Sequence, residues 1–180
     1  MSNFLTVVLV AISLSMDTFS LSMAYGMLGL NNKIIINLSI VVGIFHFVMP
    51  LLGNFLGEYI LSIISFDVSL IIGIVFLNLS IQLMFSIFKD EETTPIDGTI
   101  SIVMFALSVS LDSFSVGIGL NAISKNHISS SIIFMIISFL FTYLGLKSGK
   151  KIMKVIGKKA QIIGIILLLA LSINYIIKGC

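Results

Sequence analysis

The chain has 180 residues, of which 58% are hydrophobic and only 10% charged, and its formal net charge is +2. Soluble domains carry about 25% charged residues, so this composition excludes an ordinary soluble fold and points to transmembrane helices. The ten basic residues are all Lys and give no case for nucleic acid, while a single Cys, at position 180, excludes a disulfide framework or a thiolate metal cage within one chain.

Taken in order, the apolar runs predict six helices. The first runs roughly Phe4–Met27; it carries Asp17 and lacks a basic leader or cleavage site, so it reads as a retained helix rather than a signal peptide. A short turn around Gly29–Lys33 leads to helix two, roughly Ile34–Leu56, which contains His46 and Pro50. Pro50 removes a backbone hydrogen bond, so a kink is expected there. Glu58 and Asp67 flank the second connection, and helix three runs roughly Val68–Phe88 with Asn78 and Gln82. The polar stretch 89–98 is the clearest linker and divides the chain into halves 1–88 and 99–180. Helix four spans roughly Thr99–Ala122, helix five roughly Ile128–Leu146 and helix six roughly Ala160–Ile177, the last two separated by the basic segment Lys147–Lys159.

Lysine placement predicts orientation. Connections one, three and five hold Lys33, Lys89 and the six lysines Lys147, Lys150, Lys151, Lys154, Lys158 and Lys159; the opposite side holds Lys125 and Lys178. The positive-inside rule then puts those three connections in the cytoplasm and both termini outside.

The halves resemble each other. At an offset of 95, Ala11, Ser13, Ser15, Asp17, Phe19 and Ser20 match Ala106, Ser108, Ser110, Asp112, Phe114 and Ser115. At an offset of 92, Leu52, Gly53 and Gly57 match Leu144, Gly145 and Gly149, and Ser80-Ile81-Gln82 matches Ser172-Ile173-Asn174. With three helices per half, the two halves must insert in opposite orientations. The expectation is an all-α membrane protein of six transmembrane helices, built as two inverted three-helix repeats. In such folds the site lies near the midplane, where the repeats meet.

Asp17 and Asp112 are the acids buried deepest in apolar sequence. A charged carboxylate at a bilayer centre costs about 2.5–3.5 kcal/mol on insertion scales, so each marks a functional site by default. Ser13 and Ser20 share a helix face with Asp17, and Ser108 and Ser115 share one with Asp112. Bringing these stripes together makes an oxygen-lined site that suits hard divalent ions such as magnesium, calcium or manganese. Asn78, Gln82 and Asn174 are candidates to line it, or to hold helices together. The bland reading of the serines is that they bond their own i−4 carbonyls. Gly53-x-x-x-Gly57 and Gly145-x-x-x-Gly149 read as packing contacts, and the Lys147–Lys159 run as a topological anchor.

Ser15-Met16-Asp17-Thr18-Phe19-Ser20, Ser110–Leu120, Met49-Pro50-Leu51-Leu52-Gly53 and Gly157-Lys158-Lys159-Ala160 resemble the manganese efflux pump family MntP, within the lysine-exporter superfamily. The resemblance covers nearly the whole chain in order. It implies export of manganese(II), as cargo rather than cofactor, across a bacterial plasma membrane, with Asp17 and Asp112 as the acidic positions of the two motifs. Where some members carry an acid in helix two, this chain has His46, whose neutral imidazole suits borderline divalent ions as a third ligand. The same carboxylates can bind protons, which makes proton exchange reasonable chemistry; no Gly-x-x-x-x-Gly-Lys-Ser/Thr loop provides for ATP. The oligomeric state is left open.

Two other functions fit parts of the pattern. Export of a small organic cation or amino acid would need a group to hold a carboxylate, and the chain has no Arg. An intramembrane aspartyl protease also uses two aspartates on different helices, but its Gly-x-Gly-Asp context is missing here.

Overall fold

A computed structural model describes residues 3–63, 68–88, 98–120 and 124–179. Five helices cover these residues: α1 Asn3–Gly26, α2 Asn32–Ile63, α3 Val68–Phe88, α4 Gly98–Ile118 and α5 His127–Gly179. There is no strand among the described residues. Asp67 and the linker residues 89–97 lie outside them.

The helices form where Leu, Ile, Val and Phe run without breakers, and they stop at turn chemistry. After α1 the chain turns at Gly29, whose φ of 72° is open to glycine at little steric cost. Asn126 caps α5 by accepting from the Ser129 N–H at 3.1 Å. α2 continues through Pro50, seven residues beyond the predicted end. The largest departure from the sequence reading is α5. The segment Lys147–Lys159, expected to connect two helices, is itself helical, and helical bonding runs without a break for 53 residues. That helix is not straight. Phe134 and Leu168 lie in one apolar cluster, whereas a straight helix would hold them about 50 Å apart. α5 therefore bends between Phe134 and Leu168, which brings its two arms into one apolar cluster.

Among the described residues, four stretches are long and apolar enough to cross a membrane: Phe4–Gly26, Asn32–Tyr59, Gly98–Ile118 and His127–Gly149. Two shorter apolar stretches, Gly73–Gln82 and Ile165–Ile177, fall on α3 and the second arm of α5. The surface agrees. On α2 the residues Ile36, Ile40, Ile44, Val48, Leu52 and Phe55 are exposed on successive turns, an apolar stripe that suits lipid. The hydroxyls of Ser15, Ser22, Ser39, Ser110, Ser113, Ser138 and Thr142 are buried instead. The protein is a multi-pass membrane protein with a polar interior.

Contacts fix the helix directions. Ser15 meets Ser138, Gly145 lies against Phe19 and Gly149 against Met23, so α1 and the first arm of α5 run parallel. Gly53 lies against Phe114 and Gly57 against Ile118, so α2 and α4 also run parallel. Gly43 packs on Met135 and Phe139 while Asn54 reaches His127, so α2 and α5 are antiparallel. It follows that α1 and α4 run in opposite directions.

One apolar cluster joins Val7, Val10 and Leu14 of α1 to Phe76 and Leu79 of α3, Val116 of α4, and Phe134, Leu168 and Leu171 of α5. Another joins Tyr25 of α1 to Leu38 and Val42 of α2, Phe105 and Val109 of α4, and Leu146 of α5. Along both α1 and α4 the motif residues fall between the two clusters.

Candidate cation-binding cavity

Beside the first cluster, whose Leu14, Leu79 and Leu168 form part of its wall, lies a cavity of about 180 Å³ also lined by Ser13, Asp17, Gln82 and Asp112. α1 delivers Asp17 and α4 delivers Asp112, and because those helices run oppositely, the two carboxylates approach the same space from reversed chains. Asp112 is near enough to feel the charge of Asp17. Its Oδ1 accepts the Ser113 backbone N–H at 2.7 Å and the Ser113 hydroxyl at 3.5 Å. Ser13 donates to the Leu9 carbonyl at 2.8 Å, which leaves its oxygen lone pairs available. Gln82 bonds to Asn78, one turn away on α3.

Leu79 and Gln82 also line a second cavity of about 350 Å³ with Asn78, Ser115 and Ile118. The two cavities thus share a wall, and oxygen donors continue from the aspartates along α3 and α4. Ser20 is half-buried, while Ser108 and Asn174 are exposed; none of these three lines either cavity. Ser108 donates to the Phe105 carbonyl at 2.8 Å, three residues back on its own helix.

His46 is fully buried but does not line the aspartate cavity. Its Nδ1 donates to the Val42 carbonyl at 3.0 Å, so the lone pair sits on Nε2, which has no protein hydrogen-bond partner. Among the described residues, no three His, Cys, Asp or Glu side chains come together as a metal group. The acidic pair is therefore joined by a hydroxyl and an amide rather than by the imidazole.

The sequence reading overlooked a buried hydroxyl pair beside the site, Ser15 and Ser138, whose oxygens are 3.0 Å apart. A signal for it existed. Ser138 is the offset-92 counterpart of His46, and Ser15 the offset-95 counterpart of Ser110, so each residue in the pair has a counterpart in the other half.

The fold and this cavity define a class: a helical, multi-pass membrane protein with a polar, acidic pocket among its helices. Comparison with known proteins sharpens it. Residues 29–176 match the family described as "Putative manganese efflux pump". The chain is 35% identical over 175 residues to "Putative manganese efflux pump MntP" of Bacillus pumilus, covering 96% of this chain and 94% of that protein. It is 33% identical over 175 residues to the protein of the same name from Bacillus mycoides, covering 96% of each chain. No solved structure matches. The chain belongs to this manganese efflux pump family, a family of transporters and not of enzymes.

Proposed function

We propose that the chain exports manganese(II) from a bacterial cell, binding it between Asp17 and Asp112. The observation that carries this reading is the single cavity lined by both aspartates. Two carboxylates at close range repel, and a divalent cation between them removes that cost. Ser13 and Gln82 add neutral oxygens, and water completes the shell of a hard or borderline ion. His46 sits outside that shell.

In this reading the halves are inverted repeats. Support comes from contacts that recur under the sequence offsets. Gly53 against Phe114 and Gly117 becomes Gly145 against Phe19 and Ser22, and Gly57 against Ile118 becomes Gly149 against Met23. Rocking of one half on the other would expose the ion first to the cytoplasm, where the lysine-rich connections lie, and then to the outside, where both termini lie. Transport is secondary-active, and protons are the natural counter-ion because the vacated carboxylates accept them. An organic or amino-acid cargo fits less well, because the chain has no Arg and no lysine lines the cavity.

The test is cellular metal content, measured by mass spectrometry in a bacterium lacking its own manganese exporter. Wild type should lower manganese, while Asp17→Asn and Asp112→Asn, present in the membrane at equal amounts, should not. Equal export by the aspartate variants would refute the mechanism.

A further inference from the structure

A second set of polar side chains lies away from the aspartates, where the end of α2 meets the start of α5. Asn54 is buried. Its Nδ2 donates to Glu58 Oε1 at 3.0 Å, one turn along α2, and also to His127 Nδ1 at 3.3 Å across to α5. A carboxylate oxygen and an imidazole lone pair therefore converge on one point, which the amide nitrogen now fills. The other half of the amide, Oδ1, is buried without a protein partner, as is His127 Nε2. A buried amide oxygen with no donor is a costly arrangement.

We propose that Asn54, Glu58 and His127 form a second divalent-cation site. A half-turn of the Asn54 amide would turn Nδ2 away from Glu58 and His127 and turn Oδ1 toward them, so that an ion can lie between the three acceptors. The same three side chains then present a carboxylate oxygen, an amide oxygen and the His127 Nδ1 lone pair, a mixed oxygen and nitrogen set that suits manganese(II) or a neighbouring divalent ion. The flip turns the orphaned oxygen toward the ion and takes the amide N–H away from Glu58 and His127. Glu58 is exposed, so the ion can reach water from there. This end of the molecule is opposite the Lys147 end; on the proposed topology it faces outside, making this a release-side station for an ion leaving the aspartates. The inference extends the export reading, but its test reads binding and not transport.

The test uses purified full-length protein in detergent with manganese(II) and no other metal. The Asp17→Asn/Asp112→Asn double variant removes the central carboxylates. It is expected still to bind manganese(II), with nitrogen coupling to the ion in pulsed electron paramagnetic resonance. Adding His127→Gln should abolish the nitrogen coupling and weaken binding by more than the roughly 10–100-fold that loss of an outer-shell partner costs. Adding Glu58→Gln, at an exposed position that tolerates exchange, should weaken binding similarly and decides the matter if the His127 variant aggregates. Adding His46→Gln should change neither readout. The proposal is overturned if the double variant binds no manganese(II), or if binding and coupling persist without His127 and Glu58. Whether the aspartate variants export is not read in this experiment, so the two proposals can fail independently.

Discussion

The α1–α5 and α2–α4 crossings are built from matching residues yet differ in how they are finished. In the first, Ser15 and Ser138 share a hydrogen bond at 3.0 Å, and Thr142 donates to the Ser138 carbonyl at 2.7 Å. In the second, the equivalent positions are Ser110, His46 and Pro50. Ser110 donates to its own helix at Leu107, 3.1 Å away, and His46 Nε2 has no protein partner. Pro50 has no N–H to give the His46 carbonyl. The backbones also meet differently. Gly117 faces Pro50 and Gly53 with no Cβ between them, whereas its counterpart Ser22 brings a Cβ to within 2.7 Å of where one on Gly145 would be. Both crossings bring backbone together at glycines, but the first adds an interhelical hydroxyl bond while the second carries a buried imidazole. A duplicated scaffold can thus keep its contacts while the polar chemistry of its two halves diverges.

The largest expected effect asks whether the halves still contribute equally at the ion. Asp17→Asn and Asp112→Asn should each reduce manganese export by on the order of a hundredfold, equivalent to about 3 kcal/mol. Metal content and initial efflux rates from loaded vesicles would check this. A loss at one aspartate only would break the equivalence and leave a single-carboxylate site.

Those two aspartates were legible in the sequence because a charge in an apolar run has no cheap structural use, and because the surrounding motif occurs twice. The glycine contacts were legible too, since small residues at a four-residue spacing allow close approach. The continuity of α5 was not. Lysines are good helix formers, and a basic stretch between apolar runs signals a membrane surface without saying whether the backbone breaks there. The position of His46 was equally hidden, because helix periodicity gives a face and not the neighbour on it. Asn54, Glu58 and His127 lie far apart in the chain, and only the antiparallel packing of α2 on α5 brings them together.

Packing should give the next largest effect. A Cβ on Gly53 would run into the Phe114 carbonyl and come within 3.0 Å of Gly117 Cα. Backbone cannot move aside as a side chain can, so Gly53→Ala should cost about 3 kcal/mol, at the upper end for overpacking. Gly145→Ala meets Ser22 Cβ at 2.7 Å and the Phe19 carbonyl at 2.8 Å, and should cost about 2 kcal/mol. Thermal unfolding in detergent would rank them. The reverse order would mean that the α1–α5 crossing is the less yielding one.

Removing the shared hydroxyl contact should do less. Ser138→Ala deletes a partner of the Ser15 oxygen, and a buried hydrogen bond contributes about 1 kcal/mol net. Ser110→Ala removes only a bond to the helix's own Leu107 carbonyl and should cost less than that. Equal losses in a melting comparison would show that the serine pair contributes nothing beyond backbone satisfaction.

His46→Ser gives the α2–α4 crossing the residue that its counterpart carries at position 138, and two terms of similar size oppose each other in it. Deleting the unpartnered Nε2 relieves a penalty of about 1–3 kcal/mol. Deleting the ring leaves a void, at roughly 24 cal/mol per Å³ of residual cavity, and a hydroxymethyl does not fill the space of an imidazole. The net change should fall within about 1 kcal/mol, the smallest of the set, and export should persist because His46 does not line the aspartate cavity. Melting temperature and vesicle efflux, measured together, separate the cases. A large drop in stability would mean that the imidazole is engaged after all and that the void dominates. Unchanged stability with lost efflux would place His46 on the ion's path in another state of the transport cycle, and the divergence between the two crossings would then be functional rather than structural.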